Sequence, residues 1–304
     1  MNSNEFILKR LERPKGLSDV VIDTDTFNEM DDQFALSYLI RSDDKLNLKA
    51  IYAAPFKNHL ADTPEIGMEK SYKEISNIVS LCGRPDLKEI AYRGSAQYLK
   101  DENTPVDSDA ARNLVELAMA QPDDRPLYVV SIGCITNIAS AILMQPEIIK
   151  KIVIVWLGGH AYHWPDTKEF NMYQDIAAAR VVFGSTVPMV HVPCMGVVDH
   201  LATCGPEMKH WIVGKNELCD YLYNIVRREE EEVFGKKVWS RVIWDVAAVA
   251  WLLNDNFTDD TFMHSPIPTY DNHYAHSDTR HFIKYVYNVN RDAVFEDLFK
   301  KLVR

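Results

Sequence analysis

The chain has 304 residues, 47% of them hydrophobic and 25% charged, the balance of a globular protein rather than a disordered or fibrous one. With 33 basic and 44 acidic residues its formal net charge is -11, which argues against a nucleic-acid binder, because such proteins present a basic field to phosphates. No run is apolar for long enough to span a bilayer.

The opening MNSNEFILKRLERPKG carries charge through its only apolar run, so it does not read as a secretory signal. The five cysteines (Cys82, Cys134, Cys194, Cys204, Cys219) are odd in number, scattered and without a CxxC pair. That pattern predicts reduced thiols in a cytoplasmic protein, with neither a disulfide framework nor a zinc site.

In chain order, Val20–Ile22 reads as a buried strand ending in the acidic stretch Asp23 to Asp32, and Leu48–Ala54 as a second strand closed by Pro55. Met68, Tyr72, Ile75 and Val79 mark one face of a helix that Gly83 stops. A short strand follows at Ile90–Tyr92, then a helix over Ser108–Ala120 with Ser108 as its N-cap. Strands are predicted at Pro126–Ile132, Ile152–Leu157 and Pro188–Val192, with helices at Thr136–Leu143 and Asp175–Phe183. Beyond residue 200 the spacing predicts a charged helix over Asn216–Glu232, its glutamate run solvated. An apolar helix over Ile243–Leu253, a polar loop over His264–Arg280 and a closing helix over Asp292–Leu302 follow.

Strands apolar on both faces, alternating with helices, predict an α/β fold: a mostly parallel central sheet flanked by helices on both faces, with a Rossmann-like core. Ligands of such sheets bind outside the carboxyl ends of the strands, where the segments after Ile22, Ile132 and Leu157 lie. No internal repeat or linker divides the chain. The expectation is an extension over residues 1–17, acting as a packing or oligomer arm, and a single domain over 18–304.

The segment VVIDTDTFNEMDDQFAL gathers Asp23, Asp25, Asp31 and Asp32. Asp23 and Asp25 have strand spacing and face one way. Crowded carboxylates repel one another, and a cation in the gap relieves the cost. Hard oxygen donors suit Ca²⁺ or Mg²⁺. The plainer alternative, Asp31 favouring a helix N-terminus with the others solvated, accounts for one or two aspartates rather than four.

At these residues the sequence resembles the nucleoside hydrolase family (inosine-uridine and purine nucleoside N-ribohydrolases), whose first strand ends in Asp-x-Asp-(Pro-Gly-x)-Asp-Asp. Here the pattern is Asp23-Thr24-Asp25 then Asp31-Asp32, and the intervening TFNEM is two residues longer than the family's linker, as in a divergent branch. Ile135-Thr136-Asn137-Ile138-Ala139, Val155-Trp156-Leu157-Gly158-Gly159, Glu169-Phe170-Asn171 with Asp175-Ile176-Ala177-Ala178-Ala179, and Trp244-Asp245 match further motifs in the family's order, covering about residues 18 to 253.

The resemblance implies Ca²⁺-dependent hydrolysis of the N-glycosidic bond of ribonucleosides to ribose and free base. It implies that Asp25, Asp32, Asp245 and the carbonyl of Thr136 bind the Ca²⁺, with Asp25 also the base toward the attacking water. Asp31 and Asn171 would hold the ribose 2′ and 3′ hydroxyls, Glu169 would reach the 5′ side, and Asp23 would orient its neighbours. Trp244 stands where some purine-specific members stack an indole on the base, which suggests a lean to purines. His160 and His163 are candidates for the sugar contact or the acid, with His163 the one assigned a catalytic role. Asn58 is a candidate ribose contact, and Asn28, Glu29 and Trp164 are candidate pocket residues. A homodimer or homotetramer is also implied.

The chemistry agrees with these residue types. A cation on a vicinal diol fixes the sugar, and nearby carboxylates stabilise the positive charge that develops on it as the bond breaks. Two other readings compete. Asp-x-Asp after an apolar strand also opens Mg²⁺-dependent haloacid-dehalogenase-like phosphatases, but Phe27 takes the place of their Thr and their late acidic pair is missing. A ribosyl-binding protein without activity is disfavoured by the retained Asp25, Asp32 and Asp245. No GxxxxGK[ST] or GxGxxG motif occurs.

Overall fold

The computed structural model of the chain describes residues 3–304. Helix α1 (Ser3–Arg10) precedes strand β1 (Ser18–Thr24), whose last five residues are all buried. Helix α2 (Asp31–Ile40) follows and is buried along its whole length, so its two leading aspartates enter the interior with it. Next come β2 (Leu46–Ala53), α3 (Pro64–Leu81), β3 (Ala91–Arg93), α4 (Asp109–Ala120), β4 (Leu127–Ser131), α5 (Thr136–Met144) and β5 (Ile152–Leu157). Helices α3 and α4 begin as their sequences dictate: the hydroxyls of Thr63 and Ser108 accept the backbone N–H groups of Ile66 and Ala111. Helices α6 (Phe170–Gln174) and α7 (Ile176–Gly184) lead to β6 (Met189–Val192).

The second half continues through β7 (Ala202–Cys204), α8 (Gly205–Trp211), α9 (Glu217–Arg227), β8 (Ser240–Val242), α10 (Val246–Leu253), β9 (Thr258–His264), β10 (Ile267–Pro268), β11 (Tyr274–Ala275), β12 (Phe282–Val289) and α11 (Arg291–Leu302). Eight strands form one sheet in the order β3-β2-β1-β4-β5-β6-β12-β9. Every neighbouring pair is parallel except β12 with β9. Apolar clusters cover both faces, one with α2, α3, α10 and α11 and the other with α4, α5 and α7. The expected α/β architecture is therefore present.

Three expectations need correction. The sequence pattern predicts no strand beyond residue 200, yet β12 and β9 extend the sheet by two strands, and the polar segment over 264–280 contains the β10–β11 hairpin. Strand β9 lies at the sheet edge, opens on polar residues and buries only Thr258, so it lacks the continuous apolar run of a central strand. The glutamate run is not wholly solvated: the Glu230 side chain is 1% exposed and pairs with Lys236 at 2.6 Å and Arg241 at 3.5 Å.

Helix α1 lies against β12 of its own chain, and Ile7 in it and Leu11 just after it are buried in the larger apolar cluster. Just beyond it, Arg13 donates to the carbonyl of Trp251 at 2.9 Å, the carbonyl of Thr258 at 2.7 Å and Asp260 Oδ2 at 2.8 Å. Residues 3–13 thus brace α10 and β9. No described helix is long and apolar enough to cross a membrane.

Candidate active site

The strand order reverses direction on either side of β1, with β2 on one flank and β4 on the other. A sheet of this kind opens a crevice where its connections diverge, outside the carboxyl ends of the strands. A cavity of ≈ 250 Å³ lies there, lined by Asp25, Asp31 and Asp32 from the segment after β1, and by Ile132 and Leu157 just past or at the ends of β4 and β5. Cys194 and Met195 after β6, Glu169 and Asn171 at the start of α6, and Trp244 and Asp245 at the start of α10 complete most of the wall.

One oxygen from each of Asp31, Asp32 and Asp245 falls within 4.8 Å of the others, and all three residues are buried. Asp32 accepts the hydroxyl of Thr24. Asp25 is 1% exposed and neither of its carboxylate oxygens has a hydrogen-bond partner. A Cβ on Gly133 would stand 3.0 Å from Asp25 Oδ1 and 2.9 Å from the Ala54 side chain, so a residue without one lets the chain after β4 pass this carboxylate. The indole of Trp156 holds that passage by donating to the Gly133 carbonyl at 3.1 Å.

Burial drives the acid–base behaviour of the cluster. Desolvation pushes Asp32 up to about 7, and raises Asp25, Asp31 and Asp245 well above the ordinary carboxylate range, with repulsion from their neighbours adding to it. Buried and mutually repelling carboxylates, Asp25 among them without any hydrogen-bond partner, are a costly arrangement that a divalent cation relieves. Their hard oxygens fit Ca²⁺ or Mg²⁺ and not a thiophilic metal.

Around this centre the other expected residues take distinct positions. Asp23 is fully buried beneath the cluster, where it accepts Asn137 Nδ2 at 2.7 Å and the Ser131 hydroxyl at 3.3 Å; burial pushes it up to about 7. Glu169 caps α6 with both oxygens engaged, Oε1 by the Asn171 N–H at 2.8 Å and Oε2 by the N–H groups of Gly159 at 2.7 Å and Met172 at 3.0 Å. Burial outweighs these bonds and pushes it up to about 7. Asn171 donates through Nδ2 to the carbonyls of Ile132 at 3.0 Å and Leu157 at 3.1 Å, which ties α6 to the ends of β4 and β5.

Thr136, His163 and Asn58 do not line the cavity. Thr136 opens α5 and turns its hydroxyl to Asp175 at 2.7 Å, because the chain passes the cavity four residues earlier, at Ile132. His163 is exposed, with its ring over Gly196, and the histidine that reaches the cavity is His160, whose Nδ1 accepts the Met195 N–H at 3.3 Å. Asn58 acts one step removed, donating to Asn28 Oδ1 at 2.8 Å, while Asn28 and Glu29 do line the cavity. Trp164 stands edge-on to His160, outside it.

The lengthened linker Thr26–Met30 is held from both sides, by Asn58 on Asn28 and by Arg241 Nη2 on Glu29 at 2.6 Å. The sequence reading missed Arg241, which carries no motif, and it missed Lys168, Phe170, Cys194 and Met195 in the wall. Cys194 and Met195 were reachable in principle, since they follow the carboxyl end of β6.

Comparison with known proteins bears on family and fold. The model of the family "Inosine-uridine preferring nucleoside hydrolase" matches residues 20–296. The pyrimidine-specific ribonucleoside hydrolase RihB of Escherichia coli O17:K52:H18 is 25% identical over 242 residues, 70% of this chain and 75% of its own length. RihB of Shigella flexneri serotype 5b is 31% identical over 153 residues, 48% of this chain and 47% of its own. Among solved structures, the plant nucleoside hydrolase PpNRh1 superposes with a TM-score of 0.72 at 18% identity, covering 94% of this chain and 99% of the other. The purine-preferring ribonucleoside hydrolase from Gardnerella vaginalis gives 0.73 at 18% identity, with 94% and 98% covered. At that identity the superpositions speak to the fold, and the family match over nearly the whole chain speaks to descent. The chain belongs to the inosine-uridine preferring nucleoside hydrolase family and is a hydrolase acting on ribonucleosides.

Proposed function

We propose that the protein is a Ca²⁺-dependent ribonucleoside N-ribohydrolase that leans to purine nucleosides. The observation that carries the metal requirement is the set Asp25, Asp31, Asp32 and Asp245: buried, raised in pKa by desolvation and repulsion, and with both Asp25 oxygens unpartnered. Asp25, Asp32 and Asp245 hold the ion, and the carbonyl of Ile132 replaces that of Thr136 as the backbone donor. When bound, the cation fixes the ribose diol and stabilises negative charge on oxygen.

This chain's own groups do the rest. Asp31 and Asn171 orient the 2′ and 3′ hydroxyls, and Glu169 receives the 5′ side. Asp25 accepts a proton from the attacking water as the new C1′–O bond forms and the C1′–N bond breaks, its electron pair leaving with the base. The carboxylates lining the cavity stabilise the positive charge that spreads over C1′ and the ring oxygen. Trp244, half-buried in the cavity wall beside Asp245, stacks on the departing base. A larger π-surface gains more from that stack, which is the basis of the purine lean.

The test compares inosine and adenosine with uridine and cytidine at saturating Ca²⁺. The expected result is a kcat/KM for purines about tenfold above that for pyrimidines, or about 1.4 kcal/mol in transition-state binding. A pyrimidine preference contradicts the stacking role.

A further inference from the structure

A buried histidine that the reaction above does not use holds the turn that follows the cavity-lining Leu157. His191 sits in β6, fully buried, with Nε2 2.7 Å from the carbonyl oxygen of Gly158 and Nδ1 3.1 Å from the hydroxyl of Tyr162. A carbonyl only accepts, so Nε2 carries the proton and donates. Nδ1 is then the acceptor, and the Tyr162 hydroxyl donates to it. Burial lowers the imidazole to about 4, which keeps it neutral and this tautomer in place.

The carbonyl that His191 holds belongs to the turn that builds the cavity. The next residue, Gly159, has φ +70 and gives its N–H to Glu169 Oε2 at 2.7 Å. A Cβ at Gly159 would come within 2.2 Å of the Tyr274 hydroxyl, so the turn is also boxed in from behind. The peptide between Gly158 and Gly159 is therefore gripped at both ends, its C=O by His191 and its N–H by Glu169. Peptide planarity couples the two: a rotation that frees the carbonyl also swings the N–H off the carboxylate.

We propose that Tyr162 and His191 are positioning residues that orient the Gly158–Gly159 peptide and, through it, the Glu169 carboxylate toward the substrate's 5′ hydroxyl. The part concerning the 5′ hydroxyl rests on the role proposed above for Glu169. Neither residue lines the cavity, and neither bonds an aspartate of the cluster, so binding on the 5′ side suffers while the chemical step does not.

The test uses the full chain with three variants. His191→Phe keeps the volume and loses both hydrogen bonds, His191→Gln keeps a donor for Gly158, and Tyr162→Phe removes the outer link. With inosine, His191→Phe should raise KM about tenfold at a kcat within threefold of wild type. His191→Gln should recover most of that loss, and Tyr162→Phe should fall between. With 5′-deoxyinosine, all variants should match wild type. Equal losses on both substrates, or no loss on either, overturn the 5′ assignment.

The second readout is amide hydrogen exchange at Gly159, which needs no substrate. Protection should fall at least tenfold in His191→Phe and persist in His191→Gln; unchanged protection in His191→Phe overturns the positioning role. A wild-type chain that hydrolyses no nucleoside overturns the functional reading, and the exchange result still decides the positioning. Should His191→Phe not fold, the exchange and kinetics of His191→Gln and Tyr162→Phe decide it: Tyr162→Phe without loss of protection or rise in KM overturns the proposal.

Discussion

Asp25 is the side chain on which the proposed chemistry turns. It is buried, both its oxygens lack partners, and the chain after β4 passes beside it through a glycine. Asp25→Asn keeps the shape and removes the base and one anionic donor. Turnover of inosine should fall by about 10³-fold or more, within the range a lost general base costs. The variant should unfold no more easily than wild type without metal, since one repelling charge is gone. Near-normal turnover excludes Asp25 as the base. Trp244→Ala should cost purine nucleosides about tenfold in kcat/KM and pyrimidines less, as the loss of one stacked aromatic implies; equal losses remove the stacking role. At this scale the sequence made the aspartates legible because their crowding is a cost visible in one short segment. That Thr136 and His163 stand outside the cavity was not legible, because sequence adjacency does not show which loop residue turns inward. In the structure Asp175 claims the Thr136 hydroxyl, and the space over Gly196 takes the His163 ring.

Among elements, the six parallel strands β1 to β6 could be read directly, since each is an apolar run between turn signals. Strands β9 and β12 could not. Strand β12 interleaves Lys284, Tyr287 and Asn288 with its apolar residues, and β9 carries Asp259, Asp260 and Thr261 at the edge. Their place in the sheet comes from tertiary pairing: Lys284 bonds Asp260 at 2.9 Å across the antiparallel ladder. The segment before β1 likewise has no motif, yet Arg13 fastens α10, the helix that Asp245 precedes, to β9. Arg13→Ala strips donors from three backbone carbonyls, those of Trp251, Asn254 and Thr258, and from Asp260, a half-buried group that keeps Lys284 and Trp251. Denaturant unfolding should show a loss of about 2 kcal/mol. Its kcat with saturating metal and substrate should stay within twofold of wild type. A stability within about 0.5 kcal/mol of wild type, the range of an ordinary surface change, contradicts the bracing role.

For the whole molecule, the acid excess matters less as a net charge than as a local store of protons. Asp23, Asp32 and Glu169 are pushed up to about 7, and Asp25, Asp31 and Asp245 are also raised, burial being the leading cause in each. Without a cation, the folded chain holds more protons than the unfolded one once pH exceeds the ordinary carboxylate values. Stability is therefore full below those values and declines as pH rises through about 7. His191 and His281, lowered to about 4 by burial, act in the opposite sense but only below their unfolded value near 6.5. Between pH 6.5 and 8 the carboxylates dominate, and the melting temperature of chelated protein should fall by a few °C. Saturating Ca²⁺ should abolish most of that slope, because the cation holds the carboxylates ionised. Equal slopes with and without Ca²⁺ contradict a metal at this cluster.

The most direct measurement is product release from nucleosides by one preparation of the full chain, divided between excess chelator and excess Ca²⁺, with p-nitrophenyl phosphate and Mg²⁺ run alongside. A Ca²⁺-dependent N-ribohydrolase releases free base and ribose in equal amounts with Ca²⁺, little or none with chelator, recovers when Ca²⁺ is restored, and releases no phosphate. Full turnover in chelator, or phosphate ester hydrolysis with no nucleoside cleaved, contradicts it.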